Sequence, residues 1–158
     1  MRLYSLVIII VLLPLLTPIE SAAEVRDFSR DSMREISVEH SGSAFVLVFW
    51  SIECPPCITE LAMLSKIKSD RNLPLVLVSV DSEYTYSGLN EFLSKQGLHD
   101  VESWRFSQQS RAAIYYSVSP DWQGELPRSE LITSTGKRTA HIGRLSRLEL
   151  VRWLQVQD

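Results

Sequence analysis

Cysteine is scarce in this chain: two in 158 residues are too few for the disulfide-dense scaffolds of small secreted proteins. An excess of basic residues is also lacking, because 16 lysines and arginines face 19 aspartates and glutamates. The electrostatic footprint of nucleic-acid binding is therefore missing, and we expect no nucleic-acid partner. With 45% hydrophobic residues, the chain has enough apolar material for one core, which excludes a disordered protein.

The apolar run at residues 3–16 is shorter than the roughly 20 residues that a membrane-spanning helix needs. It follows a basic start and precedes small residues that end at Ala23. Residues 1–23 therefore predict a secretory signal peptide, with 24–158 as the mature domain. Retention of the run as an N-terminal membrane anchor is the alternative. In either case we expect a periplasmic or other extracytoplasmic location, where two cysteines can form a disulfide and keep it.

Strand and helix patterns alternate along the mature chain. Residues 24–40 are polar and predict a loop with a short helix, whereas 44–50 (AFVLVFW) predict a strand buried on both faces. A second buried strand is predicted at 75–80 and a hairpin at 130–142, with helices between and after them. This order predicts an α/β fold, a three-layer sandwich in which helices flank a mixed central sheet.

Cys54 and Cys57 lie where the first buried strand meets a predicted helix. A thiol at a helix N-terminus faces the positive end of the helix dipole, which stabilises the thiolate. The thiolate attacks disulfides, and a second thiol one turn further on can resolve the mixed disulfide. We therefore predict that Cys54 is the exposed attacking thiol and that Cys57 is the more buried resolving thiol. The disulfide between them would be the redox centre, and we expect no other cofactor and no metal.

Other interpretations of the cysteine pair stay open. A structural zinc site needs four ligands, but this chain has one CxxC pair and three widely spaced histidines, at 40, 99 and 141. An inert structural disulfide would close a loop too small to constrain the unfolded chain strongly. A Cu(I)-binding assembly factor would use both thiolates, which suit that ion, together with His141.

Two stretches of the sequence resemble the thioredoxin family. Phe49-Trp50 followed by Cys54-Pro55-Pro56-Cys57 is similar to its active-site strand and loop, and Glu125-Leu126-Pro127 with the following hairpin is similar to its second half. The resemblance implies that Pro127 is cis and packs beside the CxxC. The stretch between Cys57 and Pro127 is longer than in a minimal thioredoxin. The resemblance therefore implies an insertion within residues 82–118, between the CxxC helix and the cis-proline.

That insertion, the export signal and a CxxCxxE pattern ending at Glu60 together resemble the TlpA/ResA branch of exported thiol–disulfide oxidoreductases. The resemblance implies an enzyme that reduces disulfides of other exported proteins, such as apocytochrome c or copper-site assembly proteins. A membrane thiol transporter would then supply the electrons, and we expect a monomer. An oxidant would carry the same two cysteines, so the direction of electron flow stays open.

Glu60 is predicted to be catalytic together with the two cysteines and Pro127. It lies three residues after Cys57, hence on the same face of the helix, and its carboxyl group is expected near the buried side. Burial would raise its pKa and suit it to exchange a proton with Cys57. Thioredoxin has a buried Asp on the strand for this purpose, where this chain has Val48.

The residues that flank Cys54 are expected to tune its thiol. Pro55 and Pro56 lack N–H donors, and Glu53 adds a negative charge, so all three should raise the pKa of Cys54. Arg128, beside the cis-proline, is expected to lower it.

Substrate binding is assigned to Leu126 and Arg128, on either side of Pro127, and to Trp122. An exposed indole at Trp122 would help to dock a partner near the reactive thiol. The other interpretation of Trp122 is a ring that covers the inserted segment.

Overall fold

The computed structural model describes residues 23–157. The predicted signal peptide, apart from Ala23, lies outside these residues. The strands are β1 (Val25–Phe28), β2 (Phe45–Trp50), β3 (Leu75–Ser79), β4 (Glu102–Phe106), β5 (Arg128–Ile132) and β6 (Arg138–Ile142). The helices are α1 (Ser32–Glu39), α2 (Pro55–Arg71), α3 (Tyr86–Lys95), α4 (Arg111–Val118) and α5 (Arg147–Gln155). Across residues 23–157, no helix has the length and apolar character needed to cross a membrane.

The six strands form one mixed sheet in the order β1-β4-β3-β2-β5-β6. The first four strands in this order run parallel to one another, whereas β5 is antiparallel to β2 and β6 is antiparallel to β5. Because β2 and β3 are central and parallel, they are buried throughout, as their continuous apolar sequences predicted.

Helices cover both faces of the sheet, and successive residues of β2 point to opposite sides. Val48 and Trp50 pack against α2, α3 and α5, on what we call the α2 face. Leu47 and Phe49 pack against α1 and α4, on what we call the α4 face. The α2 face is mainly aliphatic, and the α4 face is rich in aromatic rings. The predicted three-layer sandwich is confirmed.

Segment 82–118, where the sequence implied an insertion, contains α3, β4 and α4. Its strand β4 lies between β1 and β3, so the added length forms part of the sheet.

One prediction was wrong: residues 25–28 form strand β1, where a loop was expected. The strand lies at the edge of the sheet and buries only Val25 and Phe28, so its sequence carries little strand signal.

Candidate active site

The two cysteines form a disulfide at the N-terminus of α2, with their Cα atoms 5.2 Å apart. Cys54 is the N-cap residue, and its Sγ accepts the backbone N–H of Cys57 at 3.3 Å. Cys54 is half-buried, whereas Cys57 is 1% exposed. The expected difference in exposure is therefore present, with the first sulfur open to a partner and the second one turn deeper.

Pro55 and Pro56 occupy the first two positions of α2 and are exposed, as is Glu53 before the first cysteine. Because neither proline has an N–H group, the N–H of Cys57 is the first donor that the helix offers to Cys54. The local geometry that motivated the tuning prediction for these three residues is present. The tuning itself stays a prediction.

Glu60 is 1% exposed and lies between α2 and the sheet. Its Oε1 accepts hydrogen bonds from Ser129 Oγ and from the backbone N–H of Leu145, both at 3.3 Å, while its Oε2 has no hydrogen-bond partner among residues 23–157. Burial raises the pKa of Glu60, and these two donors only partly oppose the shift. Ser129 pairs with Val48 across β5 and β2, so the carboxyl group lies over the strand position where thioredoxin has its Asp.

The Leu126–Pro127 peptide bond is cis, as the resemblance implied. Pro127 is buried, and its carbonyl accepts the N–H of Gly143 at 2.8 Å. Leu126 is half-buried and packs against the side-chain clusters on both faces of the sheet. Cys57 belongs to the cluster on the α2 face, and Cys54 packs against that cluster.

Arg128 does not face the cysteines. It pairs with Phe49 on β2, so it points to the α4 face, opposite α2. Its Nε and Nη2 donate to Glu130 Oε1 at 2.9 and 2.7 Å, and the guanidinium lies 5.2 Å from the centre of the Trp122 ring. The side chain is 7% exposed. The expectation that Arg128 acts on the Cys54 thiol lacks the geometry it needs, and a direct substrate contact would require exposure that this side chain does not have.

The Trp122 indole is 3% exposed, so the expectation of an exposed ring was wrong. Its ring centre lies 4.6 Å from those of Phe49 and Tyr115, and its Nε1–H donates to the carbonyl of Glu125 at 3.1 Å. Tyr115 belongs to α4, so the packing agrees with the other interpretation, in which Trp122 covers the inserted segment. The ring anchors the loop that leads to Pro127.

Ser51 and Asp81, which the sequence analysis did not single out, hold the loop before Cys54. Ser51 Oγ donates to Asp81 Oδ1 at 2.7 Å, and the N–H of Ile52 donates to Asp81 Oδ2 at 2.8 Å. The available signal was a polar residue directly after each of the two predicted buried strands, 44–50 and 75–80, because adjacent parallel strands end side by side.

The copper-binding alternative needs both cysteines and a histidine in one place. Among residues 23–157, no three His, Cys, Asp or Glu side chains converge as a metal site. His141 Nε2 lies 3.2 Å from the carbonyl oxygen of Arg144, and the ring contributes to the electrostatic surroundings of Glu60. The described residues do not assemble the ligands of that alternative.

No protein-family model matches this chain. No curated protein matches it either. Solved structures do resemble it. A secreted disulfide oxidoreductase of Mycobacterium tuberculosis, homologous to E. coli DsbE, has 20% identity and a TM-score of 0.58, covering 75% of this chain and 85% of its own. StoA from Bacillus subtilis has 21% identity and a TM-score of 0.58, covering 74% and 86%.

The match to a thioredoxin-family thiol:disulfide interchange protein from Chlorobium tepidum TLS is longer. It covers 87% of this chain and 97% of that protein. Its identity is 16% and its TM-score is 0.57. At these identities the likeness concerns the backbone arrangement. Together with the sheet order, the CxxC at the start of α2 and the cis-proline before β5, it shows that this chain has the thioredoxin-like fold.

Proposed function

We propose that this protein is an exported thiol–disulfide oxidoreductase that works through Cys54 and Cys57. The observation that carries the proposal is the exposure of the pair: a half-buried sulfur at the N-cap of α2 is bonded to a buried sulfur one turn deeper. The active pair is its own redox centre, so the proposal needs no further cofactor. Similarity to solved disulfide oxidoreductases supports the same chemistry.

In the reducing direction, the Cys54 thiolate attacks one sulfur of a substrate disulfide, and the other substrate sulfur leaves as a thiolate. Cys57 then loses its proton and attacks Cys54 Sγ, which releases the second substrate thiolate and forms the Cys54–Cys57 disulfide. Two electrons pass from the protein to the substrate, whose thiolates take up two protons. An external dithiol must then reduce the pair again.

Glu60 is the group proposed to take the proton of Cys57. Both residues lie on one face of α2 and are buried, and burial raises the pKa of Glu60 towards that of a thiol, which favours proton exchange between them. Glu60 therefore takes the proton-exchange role that thioredoxin gives to its buried Asp, at the strand position where this chain has Val48.

The natural substrates proposed are disulfides of other exported proteins, with apocytochrome c and copper-site assembly proteins as the classes that the family resemblance favours. The electron donor would be a membrane thiol transporter. Export rests on residues 1–23, and N-terminal sequencing of the mature protein should begin at Glu24 if the signal peptide is cleaved. An intact N-terminus in the membrane fraction would instead establish the anchor.

The test of the dithiol mechanism uses the two single-cysteine variants. Cys57→Ser should trap a mixed disulfide between Cys54 and a protein substrate such as insulin, because no thiol remains to resolve it. Cys54→Ser is the matched control: it keeps one thiol, but the buried one, and should trap nothing and turn over nothing. Full multiple turnover by Cys57→Ser would refute the mechanism.

The direction of electron flow is tested by the redox state of the pair in the cell, measured by thiol trapping. A mostly reduced pair supports a reductase that a donor keeps supplied with electrons. A mostly oxidised pair supports an oxidant of the same fold or an inert disulfide, and the trapping experiment with Cys57→Ser separates these two.

A further inference from the structure

Asp81 is a buried carboxylate that is held entirely by neutral donors. It is 4% exposed, lies two residues after the end of β3, and accepts hydrogen bonds from Ser51 Oγ at 2.7 Å, the Ile52 N–H at 2.8 Å and Ser79 Oγ at 3.0 Å. Within residues 23–157 it forms no ion pair, whereas Glu83, two residues on, pairs with Arg111 at 2.9 Å. Burying a charge without a cation costs folding free energy, so Asp81 is a candidate for a functional role.

The topology explains why Asp81 meets the reactive loop. Strands β2 and β3 are parallel neighbours, with Trp50 opposite Ser79, and the Val80 N–H donates to the Trp50 carbonyl at 2.9 Å. The two strands therefore end side by side. The chain that leaves β2 towards Cys54 passes over the end of β3, where Asp81 lies.

The hydrogen bonds of that loop depend on Asp81 and Ser51. The Ile52 N–H binds Asp81, the Glu53 N–H binds Ser51 Oγ at 3.0 Å, and the Cys54 N–H binds the Ser51 carbonyl at 3.3 Å. Asp81 orients Ser51, and Ser51 in turn holds the next two N–H groups. Pro55 and Pro56 follow without N–H groups, so the first donor of α2 is the N–H of Cys57, which binds Cys54 Sγ.

We propose that Asp81 is a positioning residue for the reactive cysteine: it fixes the loop that carries Cys54, and its charge disfavours the Cys54 thiolate. The inference rests on the proposed thiol–disulfide chemistry and deepens it. Only Glu53 separates Ile52 from Cys54, so the carboxylate that binds the Ile52 N–H lies within about 15 Å of the reactive sulfur. A charge at that distance in a partly buried site favours the neutral thiol, and a less acidic thiol makes a more reducing dithiol.

Other charged groups lie near this loop and enter the design of the test. Glu53 is exposed on the loop itself, Glu60 is buried on α2, and Glu83 with Arg111 forms an exposed pair beyond Asp81. Asp81→Asn removes the buried charge and keeps an oxygen acceptor. Glu83→Gln removes an exposed charge two residues away and serves as the matched control.

The experiment titrates the Cys54 thiolate of the reduced protein by its ultraviolet absorbance and measures the equilibrium of the pair with glutathione. Asp81→Asn should move the titration midpoint to lower pH and shift the glutathione equilibrium towards the dithiol by about three- to tenfold. Glu83→Gln should leave both quantities at wild-type values. A folded Asp81→Asn protein with a wild-type midpoint would overturn the electrostatic role.

Ser51→Ala tests the positioning role separately, because it leaves the charge in place and removes the group that links Asp81 to Glu53 N–H. We expect an unchanged titration midpoint and a several-fold slower reaction of Cys54 with a small disulfide, expressed per thiolate. A wild-type rate would overturn the positioning role. If Asp81→Asn does not fold, the result for Ser51→Ala alone decides whether the proposal stands. Both readouts report on Cys54 itself, whereas the trapping experiment with Cys57→Ser decides the proposed function.

Discussion

Two buried carboxylates lie on opposite faces of strand β5, and their surroundings differ. Glu60 lies on the α2 face, where Ser129 and one backbone N–H donate to one carboxyl oxygen and no group of residues 23–157 donates to the other. Glu130 points to the α4 face, where Arg128 binds one oxygen and Arg138 Nη2 lies 3.3 Å from the other. Both side chains are almost fully buried, at 1% and 2% exposure.

The difference separates a carboxylate that can exchange a proton from one that links elements together. Two arginines compensate the charge of Glu130, and Arg138 also donates to the Val118 carbonyl at the end of α4. This network joins β5, β6 and α4 beneath the loop that leads to the cis-proline. In the described part of the chain no cation binds Glu60 in this way, and burial of its carboxyl group raises the pKa of Glu60. The residue near the cysteines is the uncompensated one.

Removing the charge of Glu130 should give the largest effect on stability. Glu130→Gln leaves the Arg128 guanidinium, 7% exposed, without its anion, and breaking a buried pair in this way costs about 3 kcal/mol of unfolding free energy. Urea unfolding measures it. The control is Glu91→Gln, which breaks the exposed Glu91–Lys95 pair and should change stability by less than about 0.5 kcal/mol. Equal, small losses in both variants would remove the contrast between the two carboxylates.

Glu60→Gln should change the reaction more than the stability. The amide fills the same space and still accepts from Ser129, but it cannot take the proton of Cys57. We expect folded protein whose mixed disulfide resolves about 100-fold more slowly, with an altered pH–rate profile. Stopped-flow measurement of resolution checks this, with Glu91→Gln again as the control. Wild-type rates at every pH would assign Glu60 to the structure alone, like Glu130.

The sequence predicted one member of this comparison and missed the other, for a physical reason. Glu60 could be placed by helix spacing, because three residues after Cys57 is the same face of α2. Glu130 lies in a strand whose inward side depends on pairing register, and its arginines lie on the same strand and on β6. The local sequence pattern around Glu130 does not show that its charge is buried together with those of its arginine partners.

The same limit explains the other successes and errors. The CxxC helix and the two central strands follow from local sequence patterns, the cis-proline follows from the family resemblance, and the structure contains all of them. The burial of Trp122 depends on Phe49 and Tyr115, which lie far away in sequence, and the edge strand β1 shows only Val25 and Phe28 as apolar signals. Contacts over long sequence distances decided the features that the sequence did not predict.

A smaller effect should appear in the pH dependence of stability. The unfolded Glu60 carboxyl ionises near its ordinary pKa of 4.5, whereas the folded one keeps its proton to higher pH. Unfolding free energy from this group is therefore fully present below that value and is lost as pH rises through the raised folded pKa. Each unit of elevation corresponds to about 1.4 kcal/mol.

Urea unfolding at pH values on both sides of 4.5 should show this loss in the wild type and its absence in Glu60→Gln. The difference between the two proteins should grow with pH and then level off. Parallel curves for the two proteins would mean that burial does not hold the proton on Glu60, and the contrast with Glu130 would lose its electrostatic basis.

The smallest effect is expected at Glu53, a carboxylate that is exposed and not buried. It lies one residue before Cys54, so Glu53→Gln should lower the pKa of the Cys54 thiol, but water screens the charge and only a small shift is expected. Added salt should reduce that shift further, because it shortens the Debye length over which an exposed charge acts. Thiolate absorbance against pH measures both.

Arg128→Ala is the control. The Arg128 guanidinium is bound to Glu130 on the opposite face of the sheet, so its removal should not move the titration midpoint of Cys54. A shift from Arg128 equal to that from Glu53 would show that the charges of the α4 face reach the cysteines through the sheet, and the separation of the two carboxylates by strand β5 would not hold.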